Sequence, residues 1–254
     1  MTFQPPTRRA AAFIAVSVLA AFLAAYAADK KDKAKPAANQ IVDSGSFGVF
    51  INSRRVVTET FKIEQQNGAS IIKAQLKEGS GTDSANQKSE LNMTAKGELL
   101  RYEWSQASGG SLNVAPSNDF LMERTTVSGN GKPAEQSFLM PSTTAILDNN
   151  FFVHREVLAW RYLGTACTPA AGNLKCQQGP TQFGALVPQD HISMSVRMEL
   201  VGKEKISIHG AERELLRLNL SGEDFEWALW LDDHDQFKLI RVAIPADNTE
   251  VVRD

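Results

Sequence analysis

The sequence predicts a mainly β protein: an antiparallel meander curled into a barrel or half-barrel, or layered as a sandwich, with one mid-chain helix packed on or in the concave face. Three observations carry this expectation. Apolar and polar residues alternate at a period of two over most of residues 44–254, short clusters of turn-forming residues punctuate the alternation, and one segment alone shows helical spacing. No domain boundary and no internal repeat interrupts that stretch.

The elements follow in order. Gly45–Asn52 places Phe47, Val49 and Ile51 on one face, and Arg55–Gln65 follows after a short turn. Asn67-Gly68 is a hairpin signal, because both positions accept the positive φ of a type I′ turn, and Ile71–Lys77 is the next strand. Gly79–Asn86 reads as a loop by composition. Glu90–Thr94, Leu99–Ser105 and Phe120–Ser128 are strands, and Gly129-Asn130-Gly131 turns the chain into Glu135–Met140. The last third repeats the pattern with His191–Val201, Glu204–His209, Glu214–Leu220, Glu226–Leu231, Phe237–Ile244 and Glu250–Arg253.

The exception is Phe151–Leu163, preceded by the capping residues Asp148-Asn149-Asn150 and followed by Gly164 as a stop. At 100° per residue His154 and Arg161 share one narrow face, and most of the remaining circumference is apolar. A helix apolar on most sides is buried on most sides, so its expected place is inside the curve of the sheet.

The N-terminus reads as an export signal, residues 1–27. Arg8 and Arg9 precede an uncharged run, Ala10–Ala27, that ends in Ala25-Tyr26-Ala27, small residues where a signal peptidase reads them. The run is near the shortest that spans a bilayer, so an uncleaved anchor is the rival reading. With cleavage, the chain is not an integral membrane protein and is periplasmic or secreted. Residues 28–43 read as a flexible tether, since Asp29–Asn39 carries charge, Ala and Pro but no large apolar residue. Residues 44–254 are expected as one β-rich domain.

Charge and chemistry exclude several classes. A net charge of −2 gives no general attraction to nucleic acid. Cys167 and Cys176 read as a local disulfide in an oxidising compartment; a redox-active pair is the alternative, without C-x-x-C spacing to support it. Trp230 to Asp235 holds three carboxylates and an imidazole, yet it lies between two strands where a turn needs such residues, and it lacks the spacing of a calcium loop. No metal site and no cofactor is expected. His154-Arg155-Glu156 has no hydrolase or zinc motif around it.

The remaining candidates are for binding. Glu59 shares a face with Val57, Phe61 and Ile63, and Glu204 with Ile206 and Ile208. A carboxylate on an apolar face is costly unless paired, so each is either a polar anchor in a cleft or a strand-end residue that reaches water; Arg241 is a possible partner. Phe61, Trp104, Phe152, Trp160 and Trp227 are sufficient to line an apolar cavity, and equally suit an ordinary core.

Taken together, Gly45–Ile63 (G-x-F-x-V-F-I-N-S-R-R-V-V-T-E-x-F-x-I), the apolar helix, Gly202–Ile206, the Trp227–Asp233 hairpin and the closing Arg241–Pro245 resemble a group of exported bacterial domains of unknown function whose sheets curl round a helix. Their shape is in turn similar to the lipoprotein-carrier half-barrels of the Lol pathway. The resemblance implies the fold and the periplasm, and by analogy of fold an apolar ligand. The expected function is non-enzymatic binding of a lipid or acyl chain in the concave face, with Glu59, Phe61, Trp104, Phe152, Trp160, Glu204, Trp227 and Arg241 as its residues. The alternatives are docking of an envelope protein partner, and an envelope hydrolase built on His154 or His191.

Overall fold

The computed structural model describes residues 39–79, 86–126, 132–170 and 173–254. The segment expected as an export signal, the expected tether before residue 39, most of the expected Gly79–Asn86 loop and the expected Gly129–Gly131 turn lie outside the described residues.

Two antiparallel meanders make one sheet. The first comprises β1 (Gln40–Ile51), β2 (Arg54–Gln66), β3 (Ala69–Glu78), β4 (Gln87–Thr94), β5 (Leu99–Gln106), β6 (Ser111–Ser117), β7 (Phe120–Thr126) and β8 (Ala134–Phe138). A short β9 (Ala145–Ile146) leads into α1 (Val153–Ala166) and a small hairpin, β10 (Cys167–Ala170) and β11 (Asn173–Cys176). The second meander comprises β12 (Thr181–Val187), β13 (Ile192–Ile208), β14 (Ala211–Ser221), β15 (Glu226–Asp232), β16 (Lys238–Ile244) and β17 (Thr249–Arg253). First and last strands join the halves, β1 pairing antiparallel with β17, and the fifteen-stranded order runs from β8 at one edge to β9 at the other.

That sheet must curl. Strands lie about 4.8 Å apart, so a flat sheet of this order would separate its edges by about 67 Å. Yet β8 and β9 are connected by residues 139–144 alone, a link that spans at most about 24 Å. Hydrogen bonds stitch the approach: His191 pairs with Glu123 of β7, the Gln136 side chain of β8 donates to the His191 carbonyl at 3.3 Å, and the Leu99 backbone amide donates to the Ser142 carbonyl at 2.7 Å. No ladder joins β8 to β9. The sheet is an open curl, so the closed-barrel and two-layer versions of the expectation do not hold.

The inner face of both meanders packs one apolar core around α1, with Phe47, Ile72, Tyr102, Val114, Leu158, Met198, Leu218 and Val242 wholly buried or nearly so. Asn67 and Gly68 form the β2–β3 turn at φ 50° and 77°, as their sequence requires.

Three expectations are corrected here. Residues 40–43, expected in the tether, begin β1, because Asp43 is buried against Arg253 with both carboxylate oxygens 2.7 Å from Nη2. Strands β6 and β12 escape the alternation pattern: Pro116 and Gly184 interrupt it, and both strands are held by neighbours on either side. The expected break near Gly202 is a bulge within one long β13, where φ of 145° requires glycine. Beyond the bulge the β13–β14 hairpin crosses the outer side of β15 and β16, and its tip reaches β17 through His209 Nε2 and the Arg253 carbonyl, 2.9 Å. A second small core, with Ile206, Ile208, Leu215, Trp230 and Ile240, fills the fold-over.

Candidate functional site

Helix α1 starts two residues later than its sequence suggests, and its cap comes from another strand. Asp148-Asn149-Asn150 do not cap it; Phe152 stands at the N-cap position with no side-chain cap of its own. Glu59 of β2 takes that role instead. Its two carboxylate oxygens accept the Phe152 and Val153 amides at 2.7 and 3.1 Å, satisfying donors that every helix start leaves unpaired. Glu59 sits mid-strand at 0% exposure, so it does not reach water. Burial pushes its carboxyl up to about 8, against the two amides and the Arg155 charge, which pull it down. Gly164 does not stop the helix, which continues to Ala166.

Asp148 turns inward instead. It accepts from Tyr102 Oη and Gln189 Nε2, and caps its own turn through the Asn150 amide at 2.8 Å. Burial raises its carboxyl, and burial together with Asp148 raises the Tyr102 phenol, so Tyr102 stays a donor. Arg155 donates to the carbonyls of Asp148 and Phe151, and its guanidinium lies 5.2 Å from the Phe152 ring centre and 5.0 Å from that of Trp227. Burial lowers Arg155 to about 10, which still leaves it charged at neutral pH.

Glu156 faces the other meander. It accepts the Leu239 amide at 2.9 Å and lies 3.4 Å from Arg253, which also holds Asp43. Burial and the nearby Asp43 push Glu156 up to about 8, with Arg253 and the Leu239 amide opposing. Trp160 Nε1 donates to the Phe237 carbonyl at 2.8 Å, and Tyr162 Oη accepts the Leu200 amide at 2.9 Å. Polar bonds thus tie α1 and the turn before it to β2, β5, β13 and β16.

On its opposite flank α1 leaves a space against the sheet. A cavity of about 380 Å³ lies between the helix and the turn region of β4 and β5, with Leu91, Met93, Leu99 and Ile146 on the sheet side. The helix contributes His154, Val157, Leu158, Arg161, Gly164 and Thr165, an i, i+3, i+4, i+7 stripe, with Trp160 at its margin. The stripe runs from a buried end at His154 and Leu158 to exposed Gly164 and Thr165, over about 16 Å at 1.5 Å per residue. Exposed Lys96 stands at the mouth, where Arg161 is braced on the Thr143 carbonyl and over the Phe183 ring at 5.4 Å.

Of the eight sequence candidates, Trp160 alone lines this cavity. Glu59, Phe152 and Trp227 build the polar seat under the helix start. Phe61 is core, stacked on Phe47 at 4.9 Å. Trp104 faces inward two residues from Tyr102 but bonds Gln87, at 3.0 Å, outside the cavity lining. Glu204 and Arg241 lie on the outer face and are corrected on that ground: Glu204 is 39% exposed and accepts Trp230 Nε1 at 3.0 Å, while Arg241 covers the same ring at 5.0 Å and pairs with Glu250. Glu204 shares its face with Ile206, which is buried in the second core under the folded-over hairpin, whereas Arg241 is parted from inward Leu239 by a bulge at Ile240 in β16. His154, Val157, Leu158 and Leu91 are cavity residues that sequence reasoning does not single out for binding; the shared face of His154 and Arg161 is the available signal.

Cys167 and Cys176 are disulfide-bonded across the β10–β11 pair. Asp232, Asp233 and His234 cluster at the β15–β16 turn, where Arg213 and Lys203 neutralise the two aspartates. His191 and Glu123 make an imidazole–carboxylate pair beside the 3₁₀ turn Pro188–Asp190, and neither lines the cavity. Among the described residues no helix is long and apolar enough to cross a membrane. No family model, curated protein or solved structure matches this chain.

Proposed function

We propose that this chain is an exported, non-enzymatic binding protein that holds a slender apolar molecule, an acyl chain or a similar lipid, between α1 and the β4–β5 side of its curled sheet. One observation carries the reading: the apolar cavity of about 380 Å³ along three turns of the helix, open at one end. Its volume is in the range of small-molecule sites, and its lining joins an apolar wall of Leu91, Met93, Leu99, Ile146, Val157, Leu158 and Trp160 to polar side chains that include Ser70, Thr94, Thr144 and His154. Arg161 and Lys96 at the mouth suit a polar or anionic trailing group. The titratable groups around the helix start are turned onto protein partners and serve to hold the helix. The reading rests on the cavity and on the export signal.

Native mass spectrometry and organic extraction of the full chain recovered from the periplasm of an expression host test this. A co-purifying lipid-like molecule that is absent from a Trp160→Asp variant is the expected result. A bare protein mass that takes up no hydrocarbon ligand on incubation would contradict it.

A further inference from the structure

His154 closes the inner end of the cavity, and one of its ring nitrogens has no partner. The residue is 1% exposed. Its ring lies edge-on to Tyr102 at 5.7 Å and near Phe151 at 6.2 Å. Nδ1 accepts the Asp148 amide at 3.4 Å, which fixes the tautomer: the proton is on Nε2. Among the described residues Nε2 meets no acceptor, although it is buried. Burial and the adjacent Arg155 hold the imidazole down at about 3, so it is neutral and offers a single N–H donor.

Buried donors in folded proteins are almost always satisfied, and a donor left unmet is a place to look for a ligand or a bound water. The buried hydroxyl of Thr144, also in the lining, is turned onto the Pro141 carbonyl at 2.7 Å. Leu158 is nearly fully buried at the inner end, and Leu91 and Leu99 on the sheet side are as well. Arg155 does not line the cavity and its guanidinium is turned onto the Asp148 and Phe151 carbonyls, so a charged oxygen brought to this end would be stripped of water with one neutral N–H to bond it, a costly exchange. A carbonyl oxygen fits without that cost. The charged side chains in the lining, Lys96 and Arg161, belong to the mouth.

We propose that His154 Nε2–H selects the occupant of this cavity: a hydrocarbon chain with a neutral acceptor oxygen, of the ketone, aldehyde or ester class, at its leading end, which enters first. The inference rests on the reading that the cavity holds an apolar chain, and it adds polarity and direction to that reading. His154 is then a specificity residue and Trp160, Val157 and Leu158 grip the chain.

The test compares methyl octyl ketone with decane, equal in carbon count, as competitors of Nile red on the full chain. The ketone is expected to bind about fivefold more tightly, the worth of one buried neutral hydrogen bond. In His154→Phe that preference disappears while the affinity for decane is kept. Equal affinities in the wild-type protein, with both competitors bound, would overturn the role of His154 and leave the cavity reading standing, a water then being the partner of Nε2. Failure of both competitors to bind would overturn the cavity reading itself. Should His154→Phe not fold, the wild-type protein labelled with ¹⁵N-histidine decides. A downfield shift of the His154 Nε2–H resonance with ketone and not with decane is expected; the same resonance position with both bound ligands contradicts the proposal.

Discussion

The two flanks of α1 are built on opposite principles. On one flank Arg155, Glu156 and Tyr162 are bonded to backbone groups, and Glu59 rises from β2 to hold the helix start. On the other flank Val157, Leu158 and Trp160 face a cavity, with His154 at its inner end. Apolar packing alone has no reason to leave such a space, since dispersion contacts are gained by closing it. The directional bonds of the first flank fix the distance of the helix from β4 and β5, and so hold the second flank open.

Removing the anchor should break this comparison most severely. Glu59→Ala leaves two buried helix-start amides unpaired. A loss of about 2–4 kcal/mol is expected, the scale for leaving two buried donors without a partner, read as a shift in the urea midpoint. Glu59→Gln keeps one acceptor and should lose less.

The pH dependence sharpens the same contrast. Glu59 and Glu156 have folded-state values of about 8 against 4.5 unfolded. The folded protein therefore holds protons that the unfolded chain has released, and stability falls as pH rises from 4.5 toward 8. His154, at about 3 folded against 6.5 unfolded, acts in the opposite sense, losing stability as pH falls below 6.5. Above 6.5 His154 no longer opposes the two glutamates, so the decline they cause is steepest between 6.5 and 8, at up to about 1.4 kcal/mol per pH unit for each, and buried Asp148 and Glu123, also raised by burial, act in the same sense. Melting curves across that window should decline less steeply in a Glu59→Gln, Glu156→Gln double variant than in the wild-type protein.

The smallest effect belongs to the outer face. Trp230→Phe loses the bond to Glu204 and weakens the stacking with Arg241, where both partners reach solvent. About 1 kcal/mol is expected, with Nile red uptake unchanged. A loss of dye binding in this variant would show that the outer face and the cavity are linked.

Much of the fold is legible because period-two alternation is a local signal. Glu59–Ile63 and Ile72–Leu76 alternate cleanly within the strands expected of them, and the Asn67-Gly68 turn is written in two residues. The illegible part depends on distant strands meeting. Glu59 and Phe152 are 93 residues apart in the chain, so no local pattern announces that one caps the other. Glu204 is misplaced because alternation does not say whether a face looks in or out, and the folded-over hairpin buries apolar residues on both; Arg241 is misplaced because a bulge at Ile240 puts it on the face opposite Leu239. The stripe His154, Val157, Leu158, Arg161 is visible at helical spacing, but whether it meets side chains or a cavity depends on how far the other flank holds the helix from β4 and β5.

The most direct test fills the cavity without touching the anchors. Val157 is half-buried and faces the space, so Val157→Phe adds volume where there is room for it. Saturable Nile red uptake at one per chain in the wild-type protein, abolished in Val157→Phe at an unchanged melting temperature, is the predicted result. Equal uptake by both proteins would place the dye elsewhere and contradict the account.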